Sequence, residues 1–216
     1  MTTLKNLSVT LLLSQSLMSS TKIVKSPQEL TPYQNVVVDT NSSTTLTITK
    51  VKKPWYAWRS LVIGKMEKSI PEYRAINGLN QKLYAFTENH KQFGGIYLWK
   101  TDKEAKNWFN QAWYDITEKR YGQKGIVDYY TVLGINRFAQ FPSQNGNYWS
   151  VLTQSNDDLE IPKSTAGVIQ KISLQNSAGT LFYLTVWLNN ESANHFFKGK
   201  NLKNEFFDSP IVFNNN

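Results

Sequence analysis

The chain predicts an α+β protein built from two tandem βαββαβ units packed sheet against sheet. Three observations carry this prediction. The stretch GGIYLWKTDKEAKNWF at 94–109 recurs as FYLTVWLNNESANHFF at 182–197, so that Trp99 matches Trp187, Ala105 matches Ala193 and Phe109 matches Phe197 at one constant offset. Residues 44–135 spell strand, helix, strand, strand, helix, strand in their hydrophobic periodicity. Finally, right-handed crossovers send both helices to one face of such a sheet, yet strands such as Gly95-Ile-Tyr-Leu-Trp99 are apolar on both sides. An aromatic face of that size needs a cover, and the repeat supplies one.

Bulk composition narrows the chemistry. The 216 residues include seven Trp, eleven Tyr and eleven Phe, enough to fill a core without staples. The absence of Cys excludes disulfides, thiolate metal sites and thiol nucleophiles. Two histidines, His90 and His195, are too few for a histidine metal cluster, so no metal site is expected. The net charge of +8 comes from scattered lysines, the densest group being Lys50, Lys52 and Lys53. No nucleic-acid signature accompanies them, and no nucleic-acid partner is expected.

In chain order, residues 1–20 resemble a signal peptide: one Lys, an apolar run from Leu7 to Leu13 interrupted by Ser8 and Thr10, and a Ser-rich end without an A-x-A site. They predict export to a periplasmic or extracellular space, the alternative being a cytoplasmic protein with a frayed tail. The run is too short and polar to span a membrane. Residues 21–43, with Pro27, Pro32 and an Asn-Ser-Ser run, read as a linker.

The first unit, 44–135, opens with the alternating strand TTLTITKVK. Pro54 suits a first helical turn, and Trp55, Trp58, Leu61, Val62 and Met66 recur at helical spacing to about residue 68. Pro71 breaks or kinks that helix, with a short helical piece following to Ile76. A strand then covers Leu79 to Thr87, a loop Glu88 to Phe93, and the repeated strand Gly94 to Lys100. Its helix, capped by Asp102, presents Ala105, Trp108, Phe109, Ala112, Trp113 and Ile116 as one apolar stripe. Gly122 and Gly125 end it, and the strand runs on to Ile135. The order is that of a ferredoxin-like unit.

The second unit, 136–216, repeats this order in weaker form. Asn136–Phe141 matches the first strand, and Tyr148, Trp149, Val151 and Leu152 fall at the first helix. GVIQKI at 167–172 echoes GLNQKL at 78–83. The strand ending at Trp187 follows, then a helix from Glu191 to about Phe206 with Asn190 placed as Asp102 is, and a last strand from Pro210 to Phe213.

The segment from Ile76 to Ile135, with its Gly-Gly-Ile-Tyr-Leu strand, charged turn and alanine-containing helix, resembles the YdhR-type proposed monooxygenases of the dimeric α/β-barrel superfamily. That resemblance implies two units closing one barrel as a pseudo-dimer, in a monomer or a higher oligomer. It also implies a ligand cleft between the sheet and the helices of a unit. Oxygenation without a cofactor, on a small aromatic or hydrophobic molecule, is the activity it suggests, with a non-catalytic binding module as the alternative.

Candidate residues follow. Tyr97 and Trp99 on the repeated strand offer stacking and an orienting hydroxyl, and His90 in the preceding loop offers a general base. Tyr84, Phe86, Trp108 and Tyr130 are candidate ligand contacts. For each aromatic the competing role is plain core packing. The resemblance also raises a haem alternative through an Asn, a Trp and a His, here Asn136, Trp187 and His195. However, His195 follows Trp187 by eight positions where the family has about ten, a rotation of roughly 200° on a helix. G-x-G-x-x-G, P-loop and G-x-S-x-G motifs are absent, and the carboxylates Asp157, Asp158 and Glu160 read as a solvated loop.

Overall fold

The computed structural model describes residues 44–215; the expected signal peptide and linker lie outside them. Eight strands and four helices follow in the order β1 (Thr45–Lys52), α1 (Arg59–Arg74), β2 (Leu79–Thr87), β3 (Gln92–Trp99), α2 (Asp102–Trp108), α3 (Gln111–Tyr121), β4 (Ile126–Arg137), β5 (Asn145–Gln154), β6 (Val168–Gln175), β7 (Leu181–Trp187), α4 (Asn190–Phe197) and β8 (Lys203–Asn214). Among the described residues, no helix is long and apolar enough to cross a membrane.

The strands close into a single antiparallel barrel, ordered β1-β3-β2-β8-β5-β7-β6-β4. Closure removes exposed sheet edges. Read from either half, the lateral order is fourth, first, third, second: β4-β1-β3-β2, then β8-β5-β7-β6. The halves meet along two seams, β2 against β8 and β4 against β6.

Strand alternation divides the apolar residues into an inside and an outside. All eight strands contribute to the barrel interior, including Leu46, Leu83, Ile96, Tyr130, Leu152, Ile172, Leu184 and Phe207. A barrel of eight strands is just wide enough for such side chains to fill it. The outer face of the first half, with Tyr84, Phe86, Tyr97 and Trp99, packs under α1 and α2. The outer face of the second half packs Val151, Val168, Tyr183 and Trp187 under α4.

Equivalent details recur at the matched positions. Gly78 and Gly167 both adopt a positive φ, and a Cβ there would overlap Glu104 and Ser192 respectively. The carbonyls of the same two glycines accept from the N–H groups of Lys100 and Leu188. Gly94 has a different reason. A Cβ on it would meet the Thr49 carbonyl at 2.0 Å, so glycine lets β1 lie this close to β3.

Several expectations are corrected. The helix caps are Thr101 and Asn189, not Asp102 and Asn190: each side chain accepts the N–H three residues on, and the Thr101 hydroxyl also donates to the Glu104 carboxylate. The helix expected after Asp102 is two helices. The chain leaves helical geometry at Phe109, and Asn110 caps α3. Pro71 lies inside a continuous α1, whereas Trp55 and Trp58 precede it and stand in solvent. In the second half, Asn136 and Arg137 finish β4 rather than starting a new strand. Tyr148, Trp149, Val151 and Leu152 lie on β5, so the first helix of that half is not shortened but replaced by the 155–167 connection. Their apolar spacing fits a strand buried on both faces as well as a helix. The helix after Trp187 stops at Phe197, and β8 begins at Lys203 rather than at Pro210.

Candidate functional site

The outer face of the first half does not close completely. α1 meets the sheet through Val62, Met66 and Ile70, a stripe one residue wide at spacing four. The helical run is broken at Phe109, between α2 and α3. What remains is a cavity of about 800 Å³ between β1–β3 and the helices. Tyr84, Tyr97 and Lys82 line its sheet side; Met66, Ser69, Tyr73, Trp108, Trp113 and Tyr121 line the helical side.

Its polar groups are few and specific. The Tyr84 hydroxyl lies 2.7 Å from the Ser69 hydroxyl, which donates to the Met66 carbonyl. The rings of Tyr73 and Tyr97 lie with their centroids 6.0 Å apart, and the Thr49 hydroxyl donates to the Gly95 carbonyl. Burial pushes Tyr73, Tyr84 and Tyr97 above the ordinary tyrosine range, only partly opposed at Tyr84 by its bond to Ser69. These phenols therefore stay protonated and remain donors. The Trp108 indole N–H is buried without a hydrogen-bond partner.

Lys82 is the centre of the arrangement. It is 1% exposed, and its Nζ lies 2.8 Å from the ring centroid of Tyr73, 3.8 Å from that of Tyr84 and 4.7 Å from that of Tyr97. Among the described residues no carboxylate pairs with it. Burial holds its ammonium well below the ordinary lysine pKa, opposed by the charge of Glu72, which lines the same cavity. Its position follows from β2 itself: Leu83 and Ala85 point into the barrel, so Lys82, Tyr84 and Phe86 point out.

The candidate residues are scattered by this geometry. Tyr97, Tyr84 and Trp108 stand on the cavity wall. Trp99 does not: it is fully buried, donates from Nε1 to the Thr47 hydroxyl at 2.9 Å, and packs against Phe109. Phe86 is fully buried below the Arg59 guanidinium, away from the cavity wall. Tyr130 faces the barrel interior against Phe182. His90, at positive φ in the β2–β3 turn, stacks on Phe86 and sits 3.9 Å from Asp208, whose carboxylate is held by Arg59 at 2.7 Å. It does not stand on the cavity wall.

The haem triad is not assembled. Trp187 is fully buried and bonded to Thr185. Asn136 ends β4, and His195 is exposed on α4 beside a shallow depression that contains neither of the others. Among the described residues no cluster of three His, Asp or Glu side chains could hold a metal ion. Asp158 is not simply solvated: its carboxylate accepts from Lys171 Nζ at 2.9 Å.

Sequence reasoning missed Lys82 as a cavity-lining residue. The signal was present in the echo of GLNQKL by GVIQKI, which sets Lys82 beside Lys171. A lysine in the middle of a strand, followed by Leu83, Tyr84, Ala85 and Phe86, is a charged residue in an otherwise buried run.

No family model matches the chain, and no curated protein does. Solved structures do match in fold. A proposed monooxygenase from Fusobacterium nucleatum subsp. nucleatum ATCC 25586 superposes with a TM-score of 0.59 at 13% identity, over 81% of this chain and 95% of that one. Another from Lactobacillus acidophilus NCFM gives 0.52 at 15% identity, over 80% and 97%. An anthrone oxidase-like protein gives 0.53 at 7% identity, over 85% and 96%. The chain thus has a monooxygenase-like α+β fold with an eight-stranded antiparallel barrel and four helices.

Proposed function

We propose that the cavity of the first half binds a small, flat, electron-rich aromatic molecule and oxygenates it directly with dioxygen. The single observation behind this reading is an aromatic-walled cavity of about 800 Å³ with a buried amine at its base. That volume suits a drug-sized or smaller ligand. The monooxygenase and anthrone oxidase descriptions of its fold neighbours favour the same chemistry.

In the reaction, Lys82 as free amine takes a proton from an acidic carbon of the substrate. Dioxygen adds to the resulting carbanion to form a hydroperoxide. Loss of water breaks the O–O bond, so a CH2 group and O2 become C=O and H2O. Tyr97 and Tyr84, held protonated, orient the substrate oxygen. Trp108 and Tyr73 flank its ring.

The division into units at 44–135 and 136–216, each ferredoxin-like and the first YdhR-like, belongs to the same proposal. Its support is the shared lateral strand order and the matched glycines. Export through residues 1–20 is a separate expectation, tested by the mass of secreted mature protein.

The test is oxygen uptake by the full chain with a panel of phenols, quinols and anthrones, with 18O2 and product mass as the second readout. Turnover is expected with one labelled oxygen per product, and Tyr97→Phe is expected to slow it about 10²-fold. Thermal stabilisation by the same compounds without oxygen uptake would leave a binding module and remove the oxygenase reading.

A further inference from the structure

We propose that Lys82 is a carbonyl-capturing nucleophile: it forms an imine with a small aromatic aldehyde or ketone that enters the first-half cavity. This rests on the reading of that cavity as a site for flat small molecules, and adds a covalent chemistry that reading does not need.

Three observations converge on it. Lys82 lines the cavity while being almost wholly removed from solvent. It sits among three tyrosine rings with no carboxylate partner among the described residues. The third observation is an internal control. Lys171, at the matched position of the second half, is also nearly buried, but donates to Asp158 at 2.9 Å and to the Leu159 carbonyl at 3.0 Å. An ammonium held by a carboxylate has no lone pair to offer. A lysine desolvated in an apolar pocket gives up its proton more readily and becomes a more competent nucleophile. Burial pushes the Lys82 pKa in that direction.

The chemistry balances with the groups at hand. The Lys82 nitrogen lone pair adds to the carbonyl carbon, and the oxygen takes up a proton to give a carbinolamine. Loss of that hydroxyl with a further proton forms C=N, so carbonyl plus amine becomes imine plus water. The hydroxyls of Tyr84 and Tyr97, kept protonated by burial, line the same cavity and serve as proton donors to the departing oxygen. The ring of the substrate lies along Tyr73 and Trp108.

The experiment traps the imine. The full chain is incubated at pH 6.5 with 2-hydroxy-1-naphthaldehyde, and sodium cyanoborohydride reduces any C=N bond to a stable secondary amine. Intact mass and peptide mapping then locate the label. The expected result is one label per chain on Lys82, formed at least tenfold faster than on any other lysine, Lys171 included. Lys82→Met should remove it and Lys171→Met should not, with circular dichroism confirming the fold of both. Peptide mapping of the unsubstituted chain decides the matter even if a variant fails to fold. Labelling spread evenly over the lysines, or a folded chain left unlabelled at Lys82, overturns the proposal. Oxygen uptake measured in parallel separates the two readings. Uptake without trapping overturns this inference alone, whereas trapping without uptake supports it and removes the oxygenase reading.

Discussion

The two halves of the barrel carry the same strands and differ in what covers them. In the first half a 16-residue helix, α1, bridges the first and second strands, touches the sheet along a narrow stripe and leaves a cavity. In the second half the corresponding 155–167 connection holds no helix, and it brings Leu159 and Ile161 down onto Tyr183 and Trp187. Phe197 packs edge-on against Phe196 and Phe206 over the rest. The paired lysines register the difference most sharply. On one side Lys82 is surrounded by rings; on the other Asp158, part of that collapsed connection, neutralises Lys171. Strand residues put an amine at the same place twice, and the crossover decides whether it meets a carboxylate.

The largest expected effect tests what the halves share. Trp99→Ala and Trp187→Ala each remove a fully buried indole with a hydrogen bond to a threonine. Each should cost about 3–5 kcal/mol in urea unfolding, and a difference well beyond 1 kcal/mol between them would break the equivalence of the two sheets.

The next effect separates the halves. Lys82→Met replaces an unpaired buried amine by a side chain of similar volume, and should stabilise the protein by about 1–3 kcal/mol near neutral pH, a rise of roughly 2–4 °C in Tm per kcal/mol. Lys171→Met gains no such increment, because its amine already has a partner. Equal effects at the two sites would show that Lys82 is paired in solution.

The same contrast has a pH signature. Lys82 has a folded pKa below its ordinary value near 10.5, so between the two values the unfolded chain binds the extra proton and stability rises with pH. The advantage of Lys82→Met should therefore be largest in acid and shrink toward pH 10.5. The tyrosines act oppositely. Burial raises Tyr73, Tyr84, Tyr97 and Tyr130, and Tyr129 to about 12. Their stabilisation is complete below pH 10 and is lost as pH climbs past it. Tyrosinate absorbance should then rise together with unfolding rather than before it.

The smaller effects sharpen the picture of the covers. Asp158→Asn weakens the hold on Lys171 through a carboxylate that is itself largely exposed, and should cost about 1 kcal/mol or less. Trp58→Ala, at a residue 79% exposed, should change stability by under about 0.5 kcal/mol. A larger loss would mean that it is covered in solution.

Much of the barrel was legible in the chain, because strands buried on both faces and a repeat at constant offset are local signals. The second strand fell where expected, at Leu79–Thr87 just after Gly78. The errors concentrate where pattern is ambiguous. Trp149 and Val151 have a spacing that a helix and a doubly buried strand share, and Asp102 and Thr101 are both good caps one residue apart. Of the candidate site, Tyr84, Tyr97 and Trp108 reach the cavity wall, while Trp99, Phe86 and Tyr130 serve packing. Both groups look alike in sequence, since an aromatic on an apolar face can fill a core or line a void.

The amino-acid sequence by itself determined the strands of the first half, their order of appearance and the lack of thiol chemistry, because alternation, turn residues and composition act over a few neighbouring positions. Only the tertiary structure decided that one sheet face stays partly open and the other closes. That outcome depends on where α3 departs after Phe109 and on whether a carboxylate from a distant loop reaches a lysine. Those distances are set by packing between segments far apart in the chain, and no local pattern encodes them.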